Sequence, residues 1–214
     1  MSEPFVVPPG ELPYGERMRR ALPLLHRAFL IVNRYLAAPA LRAGLGPVFS
    51  TPIAGYLMIL RTRGRVSGEM REAPLGYVIC GGDVYCVPGF GRGTHWLRNI
   101  QADPHVEVVL PGRSFSGVAE EVTDPAAYLT GMRRLMVALG ILGIQTIGSD
   151  ARTASDEELL EHVRGFPLVR IRATGIAAGP FDPGGLAWIP IQAAGAILTL
   201  LGLRWIASRL RRLR

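Results

Sequence analysis

Residues 73–88 read APLGYVICGGDVYCVP, and this stretch decides the fold. Two runs of strand-forming residues, Ala73–Ile79 and Val84–Pro88, lie on either side of Gly81-Gly82. Paired glycines between two such runs are typical of the tight turn of a β-hairpin, because they accept positive φ angles. The sequence therefore predicts an antiparallel hairpin in the middle of the chain.

The segments around this hairpin predict more strands and several helices. Strands are expected at Tyr56–Thr62, His105–Leu110, Phe115–Val122 and Phe166–Ala173. Helices are expected over Thr94–Ala102, from Pro125 to about Gly143, and after the capping box that begins at Ser155. About six antiparallel strands in hairpins, with inserted helices, indicate the α+β class and a small, partly closed β-barrel.

The pattern divides the chain into four segments. Residues 1–15 predict an irregular arm, 16–46 an amphipathic helix, 47–175 the barrel, and 176–214 an apolar extension that ends in arginines. The helix at 16–46 either packs on the barrel or lies at a lipid surface.

The two cysteines are not placed for a disulfide. In the predicted hairpin Cys80 faces Asp83 and Cys86 faces Tyr77, so the sulfur atoms lie in different rungs. No group of histidines and cysteines has metal-ligand spacing, and the first residues lack the basic start of a secretion signal. We therefore expect no metal and a reducing, cytoplasmic compartment.

The net charge of +7 is concentrated near the ends. Residues 17–42 hold six arginines and residues 204–214 hold five, with no acidic residue in either segment. Basic segments beside apolar ones favour an anionic membrane surface as a partner. Few aromatic residues lie among these arginines to stack on bases, so we expect no nucleic acid partner.

The uncharged segment 183–203 is long enough to cross a bilayer. A crossing would place the terminal arginines on the far side from a cytoplasmic barrel, against the positive-inside rule. A helix lying in the cytoplasmic face of the membrane avoids that conflict, and we favour it over a span. A tail that covers an apolar barrel face or a dimer seam is the alternative.

The loop after the first predicted strand reads RTRGRVSGEMREAPL over residues 61–75. Gly64 and Gly68 let the backbone turn and expose amide donors, and Ser67 adds a hydroxyl. Arg65 and Arg71 can converge as a clamp for phosphate or carboxylate groups. A solvated basic loop would have a similar pattern, so the loop alone does not decide the function.

A glycine-rich turn precedes the first predicted helix of the barrel and reads PGFGRGTHWLRN over residues 88–99. Its glycines allow a flat ring to approach the backbone, and the helix N-terminus adds a positive dipole. Trp96 and Asn99 are three residues apart and share a helix face. An ordinary core position is the alternative for Trp96.

The order G-R-V-S-G-x-x-R-x-x-P-L, hairpin, glycine-rich turn, W-x-x-N-x-x-x-x-P resembles the deazaflavin-dependent nitroreductase family. Its members use coenzyme F420 on a split β-barrel. The resemblance covers roughly residues 26–122 and the closing strand near Phe166–Arg172. Val66 stands where that family usually has a lysine.

The resemblance implies a cofactor site. Arg65, Ser67 and Arg71 would bind the phosphate and polyglutamate tail of F420. The deazaflavin ring would lie against Pro74, Leu75, Pro88, Gly89 and Phe90, with His95, Trp96 and Asn99 completing the wall.

The resemblance also implies a reaction. Reduced F420 would pass a hydride to a small apolar acceptor such as a quinone, an unsaturated lipid or a nitro compound. The proton would come from solvent or from Tyr128. The residues Met132, Leu135, Met136, Leu139, Ile141 and Leu142 would form the substrate wall, and ordinary helix core is the alternative for them.

Two other functions remain open at this level. A reductase with the same barrel could use FMN, whose single phosphate needs fewer arginines. A non-catalytic carrier could bind a lipid or a tetrapyrrole in the barrel cleft. The sequence also allows a homodimer.

Overall fold

A computed structural model describes residues 38–42, 55–110, 113–147, 150–177 and 197–205, together with Arg20, Leu24, Ile31, Val32, Tyr35, Ala194 and Gly195. The arm at 1–15, most of the predicted helix at 16–46, the Pro111-Gly112 turn, and residues 178–193 and 206–214 of the extension lie outside the described residues. The division of the chain into four segments therefore stays a prediction.

The described strands and helices alternate along the chain. The strands are β1 (Leu57–Arg63), β2 (Met70–Gly76), β3 (Val78–Cys80), β4 (Asp83–Cys86), β5 (His105–Leu110), β6 (Arg113–Glu121) and β7 (Val169–Ile176). The helices are α1 (Ala38–Arg42), α2 (His95–Ala102), α3 (Pro125–Ala138), α4 (Ile141–Ile147) and α5 (Asp156–Val163). Gly91–Gly93 form one turn of 3-10 helix, and residues 197–205 are also helical.

The seven strands form one antiparallel sheet in the order β2-β1-β5-β6-β7-β4-β3. β2 and β3 are opposite edges of this sheet, yet Tyr77 alone separates them in sequence. A single residue spans less than about 4 Å, so the two edges must meet and the sheet must curl. The predicted α+β class and split barrel are confirmed.

The segment Ala73–Ile79 was expected to be one strand and is divided between two. Residues up to Gly76 pair with β1, where Gly76 faces Leu57, and residues from Val78 pair with β4. The sheet therefore has seven strands where about six were expected. The Gly81-Gly82 turn is confirmed, with φ angles of 63° and 91° and with Cys80 paired to Asp83.

The helix expected from Pro125 to Gly143 is broken into α3 and α4. Gly140 adopts a φ of 58°, which ends α3, and a new helix begins at Ile141. The start of α3 is capped by Asp124, whose carboxylate accepts a hydrogen bond of 2.7 Å from the Ala127 amide.

Two apolar clusters stabilise the fold. The main cluster lies between the sheet and α2 and includes Leu60, Leu97 and Ile171. The second cluster joins α3 and α5 to the end of the sheet and includes Leu135 and Phe166. Both clusters hold side chains that are fully buried, so each is part of the protein core.

Both cysteines are free thiols, as the predicted register required. Cys86 is fully buried, and burial raises the pKa of its thiol to about 12. Cys80 is half-buried and accepts a hydrogen bond from Arg134.

The crossing of α3 and α4 depends on Gly143. A Cβ at this position would lie 1.9 Å from the carbonyl oxygen of Met136. We therefore expect Gly143→Ala to lower the free energy of unfolding by about 1–3 kcal/mol and the melting temperature by roughly 2–10 °C. Gly175→Ala is the matched control, because a Cβ there meets no atom within 4 Å. Equal melting temperatures for the two variants would contradict this packing.

Candidate functional site

The loop between β1 and β2 is closed by its own backbone. The amide of Gly64 donates to the carbonyl of Glu69 at 2.8 Å, and the amide of Gly68 donates to the carbonyl of Gly64 at 2.7 Å. Gly68 has a φ of 71°, which favours glycine. These bonds fix a compact turn, and the side chains of residues 65–69 project from it into solvent.

Asn99 on α2 holds this loop against the sheet. Its side-chain oxygen accepts hydrogen bonds of 3.3 Å from both the amide and the guanidinium of Arg65. Its side-chain nitrogen donates to the hydroxyl of Thr62 at 3.1 Å. Asn99 and Thr62 are buried, with exposed fractions of 4% and 0%. One buried amide therefore sets the position of the loop relative to α2.

The two loop arginines Arg65 and Arg71 differ in whether a carboxylate neutralises them. Arg71 forms an ion pair of 2.8 Å with Glu69 and donates to the hydroxyl of Ser67 at 3.3 Å. Within the described ranges Arg65 has no carboxylate partner, because its guanidinium donates only to the neutral Asn99. The positive charge of Arg65 is thus available to an anion.

Arg61 has a structural role instead of a binding role. It is buried on β1 and pairs with Glu72 on β2 at 3.0 Å and with Glu107 on β5 at 3.5 Å. Strand register places these three residues directly opposite one another. The guanidinium therefore joins three strands beneath the loop.

The glycine-rich turn is braced from two sides. The Gly91 amide donates to the carbonyl of Pro88 at 2.8 Å, and the hydroxyl of Thr94 donates to the carbonyl of Gly91 at 3.1 Å. Arg92 forms a salt bridge with Glu121 on β6, with its Nη1 donating to Oε2 at 3.0 Å. The turn is consequently held in place before any ligand binds.

The N-terminus of α2 is a second place for an anion. Thr94 is the N-cap, but its hydroxyl bonds Gly91 and makes no capping hydrogen bond to α2. The first amides of the helix therefore keep their donors, and the helix dipole adds partial positive charge. Asn99 lies one turn further along, about 6 Å by the rise of an α-helix, so this end and Arg65 are close together.

The residues predicted to face the ring are only partly brought together. Leu75 and Trp96 belong to the main apolar cluster, and Trp96 is 8% exposed. Pro74 and Pro88 are buried, Phe90 is half-buried, and Gly89 and His95 are exposed. Trp96 is therefore mainly a core residue with one small exposed part, and Gly89 is the exposed backbone beside it in the turn.

Tyr128 lies in the second cluster, on α3. Its hydroxyl is hydrogen-bonded to the carbonyls of Phe166 at 2.9 Å and Val163 at 3.1 Å. Burial, and then the charge of Glu121, raise the pKa of this phenol well above its ordinary value. A weaker acid that already bonds two carbonyls is suited to fixing α3 against the end of α5.

Most of the predicted substrate wall packs inside the protein. Met132, Leu135 and Met136 are buried in the second cluster with exposed fractions of 0%, 0% and 2%. Ile141 and Leu142 on α4 are exposed. The apolar pattern of this helix therefore reflects the core, which was the ordinary alternative for such a pattern.

Two residues, one on β1 and one in the loop, were missed by sequence reasoning. Thr62 lies inside the quoted basic stretch, but nothing in its spacing showed that it would bond Asn99. Glu69 neutralises Arg71, and its position two residues before an arginine was a signal that could have been used. Within the described part of the chain, no three His, Cys, Asp or Glu side chains converge as metal ligands.

A family model of F420H(2)-dependent quinone reductases matches residues 40–139. This range contains β1 to β6, α2 and all of α3, and so includes the loop, Asn99 and the glycine-rich turn. Over that segment the chain is similar to this family. The resemblance to F420-dependent enzymes is thereby confirmed, and the match supports an F420-dependent oxidoreductase.

Solved structures of similar shape include proteins of several kinds. An F420-H2 dependent reductase (FDR-A) is 20% identical, with 54% of this chain and 93% of that chain covered and a TM-score of 0.39. A conserved hypothetical protein from Mycobacterium tuberculosis is 22% identical, with 55% and 72% covered and a TM-score of 0.39. The heme storage protein HutZ from Vibrio cholerae is 13% identical, with 55% and 81% covered and a TM-score of 0.42. No curated protein matches this chain.

The residues present fit an anionic cofactor with a flat ring. Arg65 offers a guanidinium that no carboxylate of the described residues pairs with, the start of α2 offers uncapped amides, and Gly89 offers exposed backbone. A Cβ built on Gly89 meets no atom within 4 Å, so the protein itself has room for a side chain there. The space above Gly89 is therefore open to a ligand.

This space gives a test of ring placement. Gly89→Ala should leave the melting temperature unchanged, because the new methyl group meets no protein atom. If the ring of F420 rests on this backbone, the methyl group should weaken binding by about 1–3 kcal/mol in a fluorescence titration. Gly175→Ala, on β7, is the control for a harmless added methyl group. Unchanged affinity in Gly89→Ala would place the ring elsewhere.

Proposed function

We propose that this reductase binds the phosphate and polyglutamate tail of F420 at Arg65, Ser67 and Arg71, and transfers hydride to an apolar acceptor. The observation that carries the proposal is the environment of Arg65. Its guanidinium is positioned by a buried amide, has no carboxylate partner in the described structure, and lies about one helical turn from uncapped amides. Charge-assisted hydrogen bonds to phosphate or carboxylate oxygens would use the Arg65 guanidinium and these helix amides as donors.

The three tail residues have unequal tasks in this proposal. Arg65 supplies the uncompensated charge, while Arg71 is half of an ion pair and must exchange Glu69 for the ligand. Ser67 accepts from Arg71 and can turn its hydroxyl to donate to an anionic oxygen. Arg65 should therefore contribute more to binding than Arg71.

The ring is proposed to lie over the glycine-rich turn, with Pro74, Leu75, Pro88, Gly89, Phe90, His95 and Trp96 around it. Phe90 and Gly89 supply the accessible surface of this turn, and the Arg92–Glu121 pair prevents the turn from moving. Asn99 acts by positioning Arg65 and the loop.

Reduced F420, when bound, supplies the hydride for the acceptor. The protein's task is to fix the orientation of the two partners and to keep the face of the ring apolar. We propose that the proton comes from solvent, which is one of the two sources that the sequence allows. The alternative source, Tyr128, would first have to release the carbonyls of Val163 and Phe166.

A quinone is the acceptor that we propose first, because the matching family is named for F420H(2)-dependent quinone reduction. Quinones are lipid-soluble, and both ends of the chain expose apolar side chains that could meet a lipid phase. In the described parts of these ends, the exposed large apolar residues are Leu24, Ile31, Val32, Tyr35, Ile197, Leu198, Leu200, Leu201, Leu203 and Trp205.

The tail assignment is tested by charge changes in the loop. Arg65→Ala should weaken F420 binding by roughly 2 kcal/mol, because a charge-assisted hydrogen bond contributes about 1.5–3 kcal/mol. Arg71→Ala should weaken F420 binding less, since Glu69 already neutralises the charge of Arg71. Val66→Lys should tighten binding, because residue 66 is 90% exposed and a lysine there adds a cation without disturbing the core.

The control for these variants is Arg164→Ala, which removes an exposed arginine at the end of α5. Fluorescence titration with F420 at fixed salt measures the affinity of the wild type and of each of the four variants. Equal affinities for the wild type and Arg65→Ala would exclude this loop as the tail site.

We further propose that the C-terminal extension lies on an anionic membrane. Between residues 197 and 205 every described apolar side chain is exposed, with Leu198 at 68% and Leu201 at 57%. Arg204 lies in the same helix, and four more arginines follow in the sequence. No helix among the described residues is long and apolar enough to cross a bilayer. An in-plane helix remains the arrangement that we favour.

Vesicle binding tests this arrangement. The full-length protein should sediment with vesicles that contain phosphatidylserine and be released in part by high salt, since each arginine near the surface contributes about 1 kcal/mol that salt screens. The double variant Leu198→Ser with Leu201→Ser should lose most of this binding, because a buried leucine contributes roughly 1.5–3 kcal/mol. Leu142→Ser, with a side chain 54% exposed on α4, is the control. Full-length protein that stays in the supernatant at low salt would contradict the membrane proposal.

The cytoplasmic location and the homodimer stay predictions.

A further inference from the structure

A cavity with a volume of about 500 Å³ is lined by residues of α3 and β3. Its apolar surface comes from Val78 on β3 and from Val137 and Ala138 on α3, and Tyr56 closes one side. None of these residues belongs to the set proposed for F420. The volume is in the range of ordinary small-molecule sites.

Three arginines surround this apolar surface: Arg133, Arg134 and Arg152. Their partners decide which of them could meet a ligand.

Two of the three are already committed. Arg133 donates to the carbonyl of Ala151, to the carbonyl of Ala154 at 2.8 Å, and to the carboxylate of Asp156 at 2.7 Å. Arg152 forms an ion pair of 3.3 Å with Asp150. These bonds hold the turn before α5 against α3, so this part of the rim is structural.

Arg134 is different. Its contact is with the sulfur of Cys80, 2.6 Å from Nη1, and no carboxylate among the described residues pairs with it. A thiol sulfur is a weak acceptor, while a carboxylate accepts two parallel hydrogen bonds from a guanidinium. An anion at this rim would therefore give Arg134 a better partner than the fold provides.

We propose that this cavity binds an amphipathic carboxylate, with the apolar body on Val78, Val137 and Ala138 and the carboxylate on Arg134. The proposal goes beyond F420-dependent reduction, because it concerns a separate site whose occupation does not require the cofactor. A neutral apolar molecule would leave the guanidinium bonded only to sulfur and would not use the charge. The chemical class is thus a carboxylic acid with an aliphatic or aromatic body.

Dodecanoate is a suitable probe, and dodecanol is its neutral counterpart. Calorimetric titration of the full-length protein should show saturable binding of dodecanoate and much weaker binding of dodecanol. Arg134→Gln should weaken dodecanoate binding about tenfold or more, in keeping with the loss of a charge-assisted bond, and should not change the affinity for dodecanol. The exposed position of Arg134 makes a folding defect in this variant easy to exclude by melting temperature.

Arg164→Gln is the matched control, since it removes an exposed arginine that does not line the cavity. Weakening in Arg134→Gln with an unchanged Arg164→Gln would support the site. Equal dodecanoate affinity in the wild type and Arg134→Gln would overturn it and would point to the exposed C-terminal helix as the place of binding. Dodecanol binding as tight as dodecanoate binding would also overturn it.

Discussion

The fold depends on one constraint of chain length: Tyr77 alone connects the two edges of the seven-stranded sheet. Because β2 and β3 cannot be further apart than this one residue allows, the five strands between them must curve. Curvature places the inward side chains of the main cluster in a closed space, which α2 then covers. The Tyr77 amide donates to the carbonyl of Tyr56 at 3.0 Å, so the connection is also bonded to the residue before β1.

The candidate cofactor site is a consequence of that curvature. The basic loop extends from β1 and β2, and α2 lies across the same end of the sheet. Asn99 can therefore reach Thr62 on the strand and Arg65 in the loop with one amide group. A buried amide that satisfies its donors and acceptors in this way resists displacement, because leaving one of them unpaired costs about 1–3 kcal/mol. The exposed part of the site is thus positioned by its buried part.

Sequence patterns predicted the strands and the turn well, and failed where tertiary contacts decide. The Gly81-Gly82 turn and the capping at Ser155 are local, and both were found, with Ser155 accepting from the Glu158 amide at 3.1 Å. The division of Ala73–Ile79 into two strands depends on which distant strand each half meets, and no local pattern reports that. The break at Gly140 was visible as a glycine, but a glycine within a helical pattern is often tolerated.

The sequence allowed the residues of the candidate site to be proposed, but it did not show which of its arginines are neutralised by a carboxylate. Arg61, Arg65 and Arg71 look alike in the quoted stretch, yet Arg61 is buried between two glutamates and Arg71 is paired with Glu69. Pairing depends on which strands become neighbours, and a single sequence does not contain that information. Arg65, which the structure sets apart from the other two, was therefore hidden among similar residues in the sequence.

Compensation of charge gives a physical criterion for sorting the arginines of this protein. A guanidinium that joins two elements through a carboxylate, as Arg92 does with Glu121, stabilises the fold, and removing it would leave the acid unpaired. Removing a guanidinium whose described partner is an amide or a thiol leaves no acid unpaired. Arg65 and Arg134 are of this second kind, and each lies beside a surface that could seat an apolar or planar group. Because the described fold does not use their charge in a salt bridge, these two guanidiniums are the ones that we propose for ligands.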